Sequence, residues 1–97
     1  MRVITYTNLK VYFQKHSDSK TALQDWNEKV KRAEWNSLSD IKNTFNSVDY
    51  VGNDRYVFNI KGNKFRLVVA INFLHQKIFI RFIGTHSEYD KIDCKTV

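Results

Sequence analysis

The chain has no proline, three glycines and a single cysteine in 97 residues. Without a Pro- or Gly-rich stretch, a low-complexity run or an internal repeat there is no linker to place, so residues 1–97 read as one domain. Cys94 stands alone, which excludes an intrachain disulfide framework and a cysteine metal cluster. His16, His75 and His86 are too scattered to suggest a zinc site, and no cofactor is expected. No apolar run reaches the length of a signal-peptide core or a membrane span, so the expectation is a cytoplasmic protein with no membrane partner.

Apolar residues are plentiful: 42% of the chain is hydrophobic, with two Trp, five Tyr and seven Phe, enough to build a core without covalent staples. Sixteen Lys and Arg against ten Asp and Glu leave a formal net charge of +6, which favours polyanionic partners through long-range attraction and counterion release. Charge of this size also occurs on small proteins that bind no nucleic acid, so the function must be sought in particular residues.

Arg2-Val-Ile-Thr-Tyr6 reads as a short strand, after which Thr7 is placed to cap a helix with Leu9, Tyr12, Phe13 and His16 on one side. A second helix is predicted over 20–34, with Ala22, Trp26, Val30 and Ala33 as its apolar stripe and Lys20, Lys29, Lys31 and Arg32 largely outside it. Ser37-Leu-Ser-Asp40 has capping-box spacing and starts a short third helix. From Arg55 the period changes to two: Tyr56, Phe58, Ile60; Phe65, Leu67, Val69, Ile71, Phe73; Ile78, Ile80, Phe82. A two-residue Gly62-Asn63 turn pairs Phe58 with Leu67 and Ile60 with Phe65, apolar against apolar. The order β-α-α-α-β-β-β, with the helices on one face of an antiparallel sheet, is an α+β fold.

The opposite parity of the strands carries Arg55, Asn59, Lys64, Arg66, Asn72, Lys77 and Arg81, with no acidic residue among them. Asn59 falls across from Arg66, and a hairpin joining Phe73 to Ile78 would put Arg81 across from Ala70. Guanidinium groups offer paired donors that suit phosphate, and Lys61 and Lys64 flank the turn beside them. A solvated sheet face must be polar in any protein, so this pattern alone is equally a plain surface.

Gly84-Thr-His-Ser-Glu-Tyr-Asp-Lys91 then packs an imidazole, a phenol, two carboxylates and an ammonium into one short segment. RNA cleavage by its own 2′-hydroxyl needs a base for that proton, cations for the phosphorane charge and an acid for the departing 5′-oxygen, and it requires no metal. Histidine is the side chain that titrates nearest neutrality, so His86 is the candidate proton carrier, with Arg66, Lys64 and Arg81 as phosphate holders. Strand parity does not continue through Gly84, which leaves open the side on which His86 emerges.

Taken together, Val57 to Val69 with its Gly62-Asn63-x-x-Arg66 hairpin, and Ile80 to Asp90 with Thr85-His-Ser-Glu-Tyr-Asp90, resemble the HigB-type toxins of the RelE-like messenger RNA interferases. The likeness extends to Arg2–Tyr6 and Trp26–Trp35. It implies a RelE-like fold and endonuclease action on messenger RNA in the ribosomal A site. It also implies a HigA-type helix-turn-helix antitoxin, through which alone the toxin meets operator DNA. On this chain the implied catalytic residues are His86, Arg66 and Tyr89, with Lys64, Arg81, Lys61, Arg55 and Asn59 as the RNA- or phosphate-binding set. Members differ in which group acts as base, so His86 belongs in the site more firmly than in that role. The alternative is a noncatalytic RNA- or DNA-binding module using the same basic face, against which stands the lack of an aromatic pair on that face for stacking bases.

Overall fold

A computed structural model describes the whole chain, Met1–Val97. In chain order it contains β1 (Arg2–Ile4), α1 (Thr7–Lys15), a 3-10 turn (Ser17–Ser19), α2 (Lys20–Arg32), α3 (Leu38–Thr44), β2 (Val48–Gly52), β3 (Arg55–Ile60), β4 (Phe65–Asn72), β5 (Lys77–Thr85) and α4 (His86–Tyr89). The strands form one five-stranded sheet in the order β1-β5-β4-β3-β2. Every pair is antiparallel except the edge strand β1, which runs parallel to β5. The arrangement is the α+β layer fold expected, with one strand and one short helix more than the pattern showed. No helix is long and apolar enough to cross a membrane.

Leu9 and Phe13 of α1, Leu23, Trp26 and Val30 of α2, and Ile41 of α3 meet Phe58 and Ile60 of β3, Phe65, Leu67, Val69 and Ile71 of β4, and Ile78 and Ile80 of β5 in one core. The stripe on α2 runs through Leu23 and Asn27, with Ala22 only partly buried; the helix stops at Arg32, and Ala33 is already extended. Thr7 does not cap α1, whose N-cap is Tyr6 with no side-chain bond. Ser37 does cap α3, accepting from Asp40 N, while the Asp40 carboxylate reaches back to Asn36 N at 2.7 Å. Trp26 stands edge-on to Phe58 with centroids 5.5 Å apart, and Trp35 is buried and edge-on to Phe45. Neither indole is a surface platform for bases.

Asn59 pairs with Arg66, Phe58 with Leu67 and Ile60 with Phe65, as the apolar matching requires. Lys64 N donates to Lys61 O; Lys61 and Gly62 both take positive φ, +54 and +64, so the ladder ends at Ile60 and Phe65 and the turn spans Lys61–Lys64, longer than the two-residue turn expected. The additional strand β2 pairs with β3 through Val48 and Phe58. It is a short, largely exposed edge joined by the Gly52-Asn53-Asp54 turn, all three residues at positive φ, and its alternation is too brief to register beside the longer strands.

The second long hairpin departs from the expected register. Asn72 pairs with Lys77 and Ile71 with Ile78, so Ala70 faces Phe79 and not Arg81. The turn shifts because Gln76 is bound elsewhere: its side chain accepts from Trp35 N at 3.2 Å and donates to Trp35 O at 2.6 Å, with its own backbone at φ +54. An amide that mimics a strand partner in this way ties the hairpin to the chain leaving α2. Further along, the ladder slips between Val68 and Val69, whose partners are Phe82 and Ile80, leaving Arg81 as the extra residue of a bulge. Phe82 therefore changes sides. It lies opposite Val68 on the face away from the helices, and Ile83 takes its place against the core.

Gln76→Ala removes both bonds to Trp35 and leaves half-buried main-chain groups without partners, so it is expected to cost about 1–3 kcal/mol. Urea denaturation checks this, and Gln76→Glu, which keeps the acceptor but loses the donor, is expected to be destabilised too.

Candidate active site

The face of the sheet away from α1, α2 and α3 has an apolar centre and a cationic rim. Val57 and Val68 are buried on it, Phe79 and Phe82 are half-buried, and Arg55, Asn59, Arg66 and Arg81 stand around them. The two phenylalanines correct the expectation that this face holds no aromatic pair. The end of the Phe82 ring lies against Gly84: a Cβ built there would fall 2.6 Å from its Cζ and 3.2 Å from Glu88 Oε1, so glycine is needed where β5 runs into α4.

Thr85 and Glu88 decide how the chain leaves β5. The Thr85 hydroxyl accepts from Glu88 N at 3.2 Å, and Glu88 Oε1 accepts from Thr85 N at 2.8 Å, a reciprocal capping box on a four-residue helix. These bonds hold the Glu88 carboxyl below the usual carboxylate range, with further lowering from the charge of His16 and Lys91. Glu88 is thus a structural cap.

The helix presents His86 and Asp90 together. His86 Nδ1 and Asp90 Oδ2 are 3.1 Å apart, both side chains more than half exposed, and Asp90 N donates to His86 O. In the tautomer that gives Nδ1–H to the carboxylate, Nε2 is the free acceptor, and the contact orients the ring. Asp90 is a site residue beyond the expected set; its i,i+4 spacing from His86 signals the pair only once the segment is known to be helical.

Tyr89, half-buried, turns toward the sheet. Burial, then hydrogen bonding to and the charge of the neighbouring Cys94, push its phenol up to about 12, against the pull of the Arg66 guanidinium. Such a phenol keeps its proton at neutral pH and can donate, not abstract. Arg66 Nη1 donates to Asn63 O at 3.2 Å and makes no ion pair with a carboxylate, which leaves its remaining donors for an anion. His86 N donates to Lys64 O at 3.3 Å, joining α4 to the start of β4.

His86 is tied to the Lys64 main chain and the Tyr89 phenol lies within reach of the Arg66 charge, while the other expected side chains are engaged elsewhere. The Lys64 ammonium is bound to the Asp18 carboxylate, and this hydrogen bond holds Asp18 below its ordinary range. Lys61 Nζ donates to Asp18 O at 3.1 Å. Asn59 Nδ2 is engaged by Ser47 Oγ. Arg55 and Arg81 both donate through Nε to the main-chain oxygen of Val97, at 3.1 and 2.9 Å. His16 stacks on Tyr12 with centroids 4.2 Å apart, and His75 remains in the exposed β4–β5 loop.

Residues 19–92 match the HigB toxin family, described as the RelE-like toxic component of a toxin-antitoxin system. The chain belongs to this family. The mRNA interferase toxin HigB of Escherichia coli K12 is 34% identical over 93 residues, which cover 93% of this chain and 88% of that protein. The mRNA interferase HigB of Shigella flexneri gives the same identity and coverage. That of Escherichia coli O6:H1 is 26% identical over 94 residues, covering 95% and 91%. A member of the HigB family has an antitoxin as its partner. In this HigB-family toxin the Thr85–Asp90 segment lies within the matched residues and forms the helix that carries the His86–Asp90 pair.

Gly84→Ala forces Phe82 or α4 to move, and overpacking of this kind is expected to cost about 1–3 kcal/mol. The measurement is the urea midpoint together with proton NMR of the His86 ring, which is expected to shift because α4 is displaced; an unchanged midpoint and ring signal would contradict the close contact.

Proposed function

We propose that this toxin is a ribosome-dependent endoribonuclease, cutting translated messenger RNA in the A site by attack of the 2′-hydroxyl on its own phosphodiester. A HigA-type helix-turn-helix antitoxin is its partner, operator DNA is reached only through that antitoxin, and the cytoplasm is where it acts. The observation that carries this reading is the His86–Asp90 pair, on the same short helix as a Tyr89 whose phenol lies near the Arg66 guanidinium, in a chain whose relatives are named mRNA interferases.

The chemistry follows from what each group can do. His86 Nε2 takes the 2′-hydroxyl proton while Asp90 stabilises the imidazolium that forms. The 2′-oxygen bonds to phosphorus, and the bond from phosphorus to the 5′-oxygen breaks, leaving a 2′,3′-cyclic phosphate. Tyr89 supplies the proton that the 5′-oxygen carries away, since an alkoxide is more basic than a phenolate even with the phenol near 12. Arg66 holds the phosphorane charge, with Lys64 joining it once RNA replaces Asp18 as the ammonium's partner. These groups sit on an open surface and not in a pocket, so the RNA must be oriented by something else. The ribosome supplies that orientation, a contribution of roughly 7–11 kcal/mol in favourable cases.

One transcript incubated with toxin in the presence and absence of translating ribosomes tests the dependence. Cleavage is expected to be efficient only with ribosomes; equal rates would overturn it. Single-turnover cleavage on ribosomes is expected to fall by roughly 10²-fold or more for Arg66→Ala and by roughly 10²–10⁴-fold for His86→Gln, and Arg66→Ala is expected to relieve growth arrest. Asp90→Asn is expected to lose up to roughly 10⁴-fold, as when the carboxylate that orients a general-base imidazole is replaced by its amide. Tyr89→Phe is expected to lower the rate without changing the shape of the pH profile between about 6 and 9, because a phenol raised to about 12 does not titrate there. Parent-like rates for both His86→Gln and Arg66→Ala would place the reaction elsewhere on the protein.

A further inference from the structure

β1 is an outer strand of the sheet, paired on one side only. Arg2 N donates to Gln76 O at 2.8 Å, and because successive N–H groups of a strand alternate in direction, the Val3 N–H and C=O turn outward, away from β5. No turn or loop bond takes them up. Beside this free edge a cleft of about 330 Å³ opens between β1 and α2, lined by Met1, Arg2, Val3, Tyr6, Asn27 and Lys31. No residue of the candidate active site lines it.

Asn27 is out of keeping with its position. The buried stripe of α2 is Leu23, Trp26, Asn27 and Val30, a spacing that calls for apolar side chains throughout. Asn27 is only 8% exposed, and its Oδ1 is buried without a hydrogen-bond partner. A buried amide left unpaired destabilises the toxin alone, whereas a leucine of similar size would not. Its presence is accounted for by a partner that brings a hydrogen bond into the cleft. The surroundings are cationic. Arg2 and Lys10 pair with no carboxylate, Lys10 lying over the Tyr6 ring at 5.7 Å, and Lys31 reaches only Glu28, at 3.9 Å, which Arg32 shares.

We infer that this edge and cleft are the docking surface for the antitoxin, which adds an extended segment of its own as a strand beside β1. Main-chain bonds to the Val3 N–H and C=O hold the segment, and an apolar side chain enters the cleft against Val3 and Tyr6. A polar group of the segment meets the Asn27 amide, and an acidic side chain meets Arg2 or Lys31. A second copy of this chain fits poorly, since pairing edge to edge brings Arg2, Lys10 and Lys31 of one molecule against the same cations of the other, on chains of formal net charge +6. The inference rests on the family's pairing of toxin with antitoxin and not on the nuclease chemistry.

The full toxin and the antitoxin co-expressed with it are the materials of the test, and binding is read without any cleavage. In the complex the Val3 amide proton is expected to exchange with solvent at least about 10-fold more slowly than in the free toxin, with cross-strand nuclear Overhauser effects from Val3 to the antitoxin. Asn27→Leu is expected to keep or raise the urea midpoint of the free toxin while the antitoxin binds about 10-fold or more weakly by calorimetry. A purely structural Asn27 gives the opposite pattern, a lower midpoint with parent affinity. Arg2→Glu is expected to slow association and to reduce its dependence on salt. Parent affinity in Asn27→Leu would overturn the cleft as the docking surface while the pairing stands. An unprotected Val3 amide in the complex would overturn the added strand. Protection already present in the toxin alone and lost on dilution would give the edge to a second copy instead, and a toxin that binds no antitoxin would overturn the pairing and this proposal with it.

Discussion

The bulge at Arg81 is the constraint on which the two sides of this molecule depend. A strand alternates its side chains without exception unless a residue is inserted, and β5 has to serve two masters: its first half fills the helix-side core through Ile78 and Ile80, and its second half has to carry the chain onto the opposite face. With unbroken alternation Phe82 and Gly84 would face the helices. The inserted residue reverses the parity, so Ile83 joins the core while Phe82 and Gly84 face away from it. Gly84 then leaves room for the end of the Phe82 ring and for the Glu88 carboxylate, and the capping box of Thr85 and Glu88 starts the helix at His86. The placement of the imidazole is thus settled several residues upstream, by backbone pairing and not by any feature of the site.

The same face shows how a small basic protein keeps its cations available. On the helices the charges are spent locally, Lys29 with Asp25, Lys31 and Arg32 with Glu28. Exposed pairs of this kind contribute little to stability. On the sheet Arg66 bonds only to the main-chain oxygens of Asn63 and Phe65, which hold its guanidinium in position without neutralising it. An anion arriving at Arg66 replaces a weak acceptor with a strong one and needs no ion pair broken. Lys64 differs, since Asp18 must release it.

Much of this architecture was legible in the sequence, and the parts that were not share a cause. The Gly62-Asn63 hairpin was readable because apolar residues match across it in one register only, so Asn59 and Arg66 could be set opposite one another before any coordinates. The second hairpin misled twice: Gln76 at its turn is attached to Trp35, a contact between residues far apart in the chain, and Ile78, Ile80 and Phe82 continue a regular alternation straight through the bulge at Arg81. β2 escaped because a short, exposed edge strand has little apolar pattern to show. In the site, His86, Tyr89 and Arg66 were nameable from residue type and motif, but the Asp90 partnership was not, because it depends on α4 being helical.

Of all these features the crossing of the tail had the faintest trace, since Cys94–Val97 has neither periodicity nor a run of charge and is bound through its backbone. Backbone acceptors are the same in every sequence, so nothing in the residue types announces where such a segment lies. What does announce it is the burial of Val57 and Val68 on a face that carries no long helix. Apolar residues at the middle of a sheet face need a cover, and a segment bonded to Asn53, Arg55 and Arg81 through its own backbone is placed to contribute to it without any pattern of its own residue types.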